Sequence, residues 1–107
     1  MLKAVNRLKK DSDFGRILNL ADKKKFGPLL IFFAPKEEAL RFGVVISKKV
    51  SKKAVVRNHL KRVIYNLLGE MLKEIKITGD FVIIVLYNPN ETSDQIDKAL
   101  IQWQKSL

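Results

Sequence analysis

In the middle of the chain Val56, Leu60, Val63, Ile64, Leu67, Leu68, Met71 and Ile75 return to one side of a 3.6-residue repeat. That spacing fits an α-helix over residues 54–74 and no other regular structure, so a long helix must find something to bury its apolar side against. At 107 residues the chain has room for one core and one domain, residues 1–107. The remaining segments must supply the cover.

Three apolar runs are candidates. Residues 29–34 (LLIFFA), bracketed by Pro28 and Pro35, and residues 41–47 (RFGVVIS) read as two strands of a hairpin. Residues 81–86 (FVIIVL) are apolar without alternation, which marks a strand covered on both faces. Phe14, Ile17, Leu18 and Ala21 follow the candidate N-caps Asp11 and Ser12 at helical spacing and predict a first helix over residues 11–20. Residues 23–27 would end it, with three lysines where the helix dipole favours cations. Thr92 and Gln95 form a candidate capping box for a last helix carrying Ile96, Ala99, Leu100, Trp103 and Leu107. The order helix, strand, strand, helix, strand, helix predicts an α+β sandwich.

Composition excludes several functions. With no Cys there is no disulfide framework, thiolate metal site or cysteine nucleophile, and His59 is the only histidine. Glu37 and Glu38 adjoin in a polar turn, and the other carboxylates lack metal-ligand spacing. No P-loop or nucleotide fingerprint appears. The apolar runs fall far short of the roughly 20 residues that cross a bilayer. The opening MLKAVNRLKK lacks the unbroken apolar segment of a secretory signal. The expectation is a cytoplasmic protein without a membrane partner.

Charge is the informative quantity. The net charge is +10, and it is polarised: residues 1–25 sum to +5, residues 26–38 to −1, residues 39–69 to +8 and residues 70–107 to −2. The stretch from 39 to 69 contains Arg41, Lys48, Lys49, Lys52, Lys53, Arg57, Lys61 and Arg62 and no acid. A solvated helix face usually mixes signs, because like charges four residues apart repel. Solubility alone does not require such clustering. The pattern predicts a polyanion site, with RNA or DNA as partner.

Within that stretch Arg57 and Lys61 stack four apart, with Asn58 and Arg62 beside them, and the spacing sets this stripe well around the helix from the apolar one. Arg offers a fork for two phosphate oxygens, Lys a point charge, and Asn paired donor and acceptor groups for a base edge or a 2′-hydroxyl. The connector SKKVSKK (residues 47–53) adds four lysines at the start of the helix, where unpaired N–H groups also favour an anion.

Residues 41–68, RFGVVISKKVSKKAVVRNHLKRVIYNLL, resemble the signature of the protein subunit of bacterial ribonuclease P, an Arg-Asn-Arg run followed by Lys-Arg on a long helix. NRLKKDSDFGRIL (residues 6–18) is similar to that family's opening, and the likeness covers essentially the whole chain. The resemblance implies a two-layer α/β sandwich like domain 2 of ribosomal protein S5, order α-β-β-(β)-α-β-α, with a left-handed βαβ crossover. It implies that Arg57, Asn58, Lys61 and Arg62, with Lys48, Lys49, Lys52 and Lys53, contact the catalytic RNA subunit. A cleft formed by Phe14, Leu18, Leu30 and Phe32, with Arg7 and Arg16, would hold the 5′ leader of precursor tRNA. The RNA would hold Mg2+ and cut; this chain would contribute no catalytic residue, no metal ligand and no bound cofactor, and would need no protein partner. Three departures stand out: His59 replaces the usual second Arg, Leu18 replaces an aromatic, and the connector is one residue longer than the common form. The alternatives are a ribosomal or RNA-chaperone protein of the same fold, and a DNA-binding helix module, which usually joins two helices by a short turn.

Overall fold

A strand apolar on both sides needs cover on both faces, and residues 79–85 obtain it inside a sheet. The computed structural model describes residues 6–8, 17–18, 22–35, 39–87 and 94–107. Its strands are β1 (Asp22–Phe26), β2 (Leu29–Pro35), β3 (Leu40–Ile46) and β4 (Gly79–Val85), in the spatial order β1-β2-β4-β3. Six of the seven β4 residues are buried. The long helix is α1 (Ala54–Met71), continued by a 3-10 turn over Leu72–Glu74, and the last helix is α2 (Asp94–Lys105). Of the first predicted helix, Ile17 and Leu18 are described and are helical; Thr92 of the candidate capping box lies outside the described residues.

Two expectations are corrected. Residues 22–26 form a strand instead of a helix end: β1 turns through Gly27, at φ +53°, and Pro28 to pair antiparallel with β2. Nor do β2 and β3 form a hairpin, because β4 lies between them, antiparallel to β2 and parallel to β3. The reason is burial. An all-apolar strand is best used inside the sheet, whereas β1, with its three lysines, suits an edge that must not pair with another chain. Because β3 and β4 are parallel neighbours, α1 is their crossover connection.

The pleat sorts side chains to two faces. On one, Leu29, Ile31, Phe42, Val44, Ile46, Phe81, Ile83 and Val85 pack with Leu60, Ile64 and Leu68 of α1 and with Ile96, Ala99, Leu100 and Trp103 of α2. Phe81 stacks between Phe33 and Phe42, ring centroids 4.6 and 5.3 Å away, and the Trp103 ring meets it edge-on at 5.1 Å. On the opposite face Phe32 and Val82 are buried beneath Leu8 and Ile17, with Leu30, Ala34, Val45 and Ile84 packed around them and half-buried. Leu107 lies beyond the end of α2 and is exposed.

Candidate nucleic-acid interface

The connector between β3 and α1 is built around one apolar residue. Val50 is buried, and its N–H donates to the Ser47 carbonyl at 3.1 Å to close a turn. Lys48, Lys49, Lys52 and Lys53, on either side of that anchor, are all exposed. The helix that follows starts without anionic help: Lys53 at the N-cap makes no side-chain capping bond, and the first turn holds no acid. The orphan N–H groups and the positive end of the helix dipole therefore reinforce the lysines.

Asn58 and Arg62 are exposed, and Lys61 is half-buried. Arg57 lies nearer the buried stripe than its spacing suggested. It is half-buried, and its Nη1 donates to the Ser51 carbonyl at 2.9 Å, tying the connector to the helix while the rest of its fork stays available. The expected set is thus brought together around one helix start, with Arg57 both tether and cation. Arg41 is spent elsewhere. Its Nε and Nη2 donate to the two carboxylate oxygens of Asp80, each at 2.8 Å, and Asp80 is fully buried.

Sequence reasoning missed Tyr65. It follows Lys61 by four residues, so the i, i+4 row that carries Arg57 and Lys61 runs on to it, which was a usable signal. Residues 6–8 lie along the outer edge of β3: the Asn6 side chain donates to the Leu40 carbonyl and the Leu8 N–H to the Phe42 carbonyl, both at 2.8 Å. Arg7 pairs with Phe42, and its guanidinium sits 4.8 Å from the centre of the Tyr65 ring. Arg7 Nε is buried without a hydrogen-bond partner, so the ring face is what holds this cation. Burial raises the pKa of the Tyr65 hydroxyl, against a backbone hydrogen bond with Val44 and the charge of Arg7, which both lower it. Arg7, expected beside Leu30 and Phe32, is instead on the α1 side of the sheet.

Leu30 and Phe32 do share a face, as their spacing predicted. Phe32 is only 7% exposed, so most of its ring is core, and the accessible apolar surface comes from half-buried Leu30, Ala34, Val45 and Ile84. Ile17 is buried on this face while its neighbour Leu18 is 36% exposed. Phe14 and Arg16 lie outside the described residues. Among the described residues no three His, Asp or Glu side chains gather into a metal-binding group, and no helix is long and apolar enough to cross a membrane.

This helix start and sheet sit in a chain whose residues 2–107 match the family model Ribonuclease P. The chain belongs to the ribonuclease P protein family. It is 34% identical to the ribonuclease P protein component of Bacillus velezensis over 103 residues, 94% of this chain and 87% of that one. With the ribonuclease P protein component of a Picosynechococcus strain it shares 39% identity over 103 residues, 91% of this chain and 89% of the other. The Staphylococcus aureus ribonuclease P protein superposes with a TM-score of 0.82 at 27% identity, covering 97% of this chain and 95% of that structure. The Thermotoga maritima ribonuclease P protein, 21% identical, shares the fold with a TM-score of 0.80 over 94% of this chain and 96% of that structure. A ribonuclease P protein component is a subunit of an endoribonuclease, so the α+β sandwich here is that subunit's fold.

Proposed function

We propose that this chain grips the catalytic RNA subunit of ribonuclease P with the first half of α1 and its lysine connector, and assists endonucleolytic removal of the 5′ leader from precursor tRNA. One observation carries the reading: an uncapped, acid-free helix start surrounded by exposed Lys48, Lys49, Lys52, Lys53, Asn58 and Arg62. Such an array holds phosphates through charge and backbone N–H groups and requires no particular sequence. The half-open apolar face around Leu30 and Ile84 supports a leader site, because apolar contact tolerates any base.

Bond breaking belongs, in this reading, to the RNA subunit and the Mg2+ it holds. The donor set here supports that division. Cations and an amide position phosphates, whereas activating a water needs a base tuned near neutrality. The one histidine, His59, stands exposed on α1 between Asn58 and Leu60.

Reconstitution tests the proposal. Added to the cognate RNA subunit at low magnesium, the protein should raise cleavage of precursor tRNA, and alone it should cleave nothing. A ribosomal or RNA-chaperone protein would bind without raising cleavage. Lys61→Ala with Arg62→Ala should weaken binding to the RNA subunit and flatten its log–log salt dependence by about 0.7 to 0.9 per lost phosphate contact. An unchanged slope would remove α1 from the interface.

A further inference from the structure

We infer that Lys23 and Lys25 of β1 form the phosphate-binding rim of the apolar sheet face, so that a single RNA strand lies with its bases toward Leu30 and Ile84 and its phosphates along β1. The inference rests on the leader site proposed above and adds two contacts to it.

Register carries the assignment. In an antiparallel pair, residues opposite each other project to the same face. Lys23 is opposite Phe32 and Lys25 is opposite Leu30, so both lysines belong to the face of the apolar patch. Lys24 is opposite Ile31 and belongs to the other face, where it lines a cavity of about 190 Å³ with Phe26, Phe33, Phe81 and Trp103. Lys23 and Lys25 are exposed and stand about 6.6 Å apart along the strand, a spacing of the order of that between successive phosphates on an extended chain.

Nothing on the strands cancels their charge on that side. The four strands hold two carboxylates, Asp22 and Asp80. Asp22 is opposite Phe33 and so faces away, while Asp80 is held by Arg41. An apolar floor with a cationic border is the arrangement by which proteins bind single strands without reading sequence.

Lysines on an edge strand also discourage pairing with other chains. In that role Lys24 would serve as well as its neighbours, and this separates the two readings. The holoenzyme reconstituted with the RNA subunit should be titrated with labelled precursor tRNA and with mature tRNA at several salt concentrations. Lys23→Ala with Lys25→Ala should weaken precursor binding about fivefold or more and lower its salt slope by about 1.4, two single-strand contacts at about 0.7 each. Mature tRNA and RNA-subunit affinity should not move, and Lys24→Ala should match wild type. Equal loss with Lys24→Ala, equal loss for mature tRNA, or no loss would overturn the rim while a leader preference in wild type left the leader site standing. If wild type itself binds both RNAs alike, the leader site fails and the rim with it.

Discussion

At the scale of single residues, Arg7 shows how a neighbour reassigns a side chain. The family resemblance placed it with the leader face, yet a parallel bridge to Phe42 aims it at Tyr65 on the α1 side. Arg7→Ala should therefore weaken RNA-subunit binding and leave the preference for leader-bearing substrate intact, as measured by titration with the two RNAs. A lost leader preference would return Arg7 to the cleft. Tyr65 provides a pH test. Burial raises its hydroxyl above the ordinary 10.0, so the folded chain keeps a proton that the unfolded chain releases first. That contribution to stability is complete below 10.0 and is lost as pH climbs through the raised value. Tyr65→Phe should make the alkaline fall of denaturation midpoints less steep.

At the scale of elements, the central helix and the two interior strands were readable because periodicity and unbroken apolarity report burial directly. β1 was not, since an edge strand carrying Lys23, Lys24 and Lys25 has no apolar alternation, and its stability comes from pairing with β2. The mistaken hairpin has a related cause: adjacency in sequence favours pairing, but β4 outcompetes β3 for the edge of β2 by burying both of its own faces. Gly79 marks the point where β4 enters. Its φ is +154°, and a Cβ there would press on the Phe33 ring and stand 2.8 Å from the Ala34 carbonyl oxygen. Gly79→Ala should cost about 2 kcal/mol or more in chemical denaturation, from overpacking and backbone strain together.

At the scale of the whole molecule, charge is arranged in opposition to the core. Of the eight cations between residues 39 and 69, Arg41 neutralises Asp80 across two parallel strands, and the others surround the start of α1 or lie along it. Asp80→Ala removes the buried carboxylate that accepts from both Nε and Nη2 of Arg41, whose side chain is 22% exposed. The expected loss is about 2 to 3 kcal/mol, below the usual figure for a buried pair because Arg41 keeps one side in water. Replacing both partners by Leu and Met should recover most of it, and failure to recover would mean the pair fixes strand register. The amino-acid sequence by itself determined the α+β class, the central helix, the acid-free basic stretch and the family likeness, all of them local patterns or sums. Only the tertiary structure decided which strands are neighbours, which lysines share a face with the apolar patch, where Arg7 points and which arginine is consumed in a buried pair. Those outcomes depend on contacts between segments remote in the chain, where burial of the most apolar strand overrides proximity.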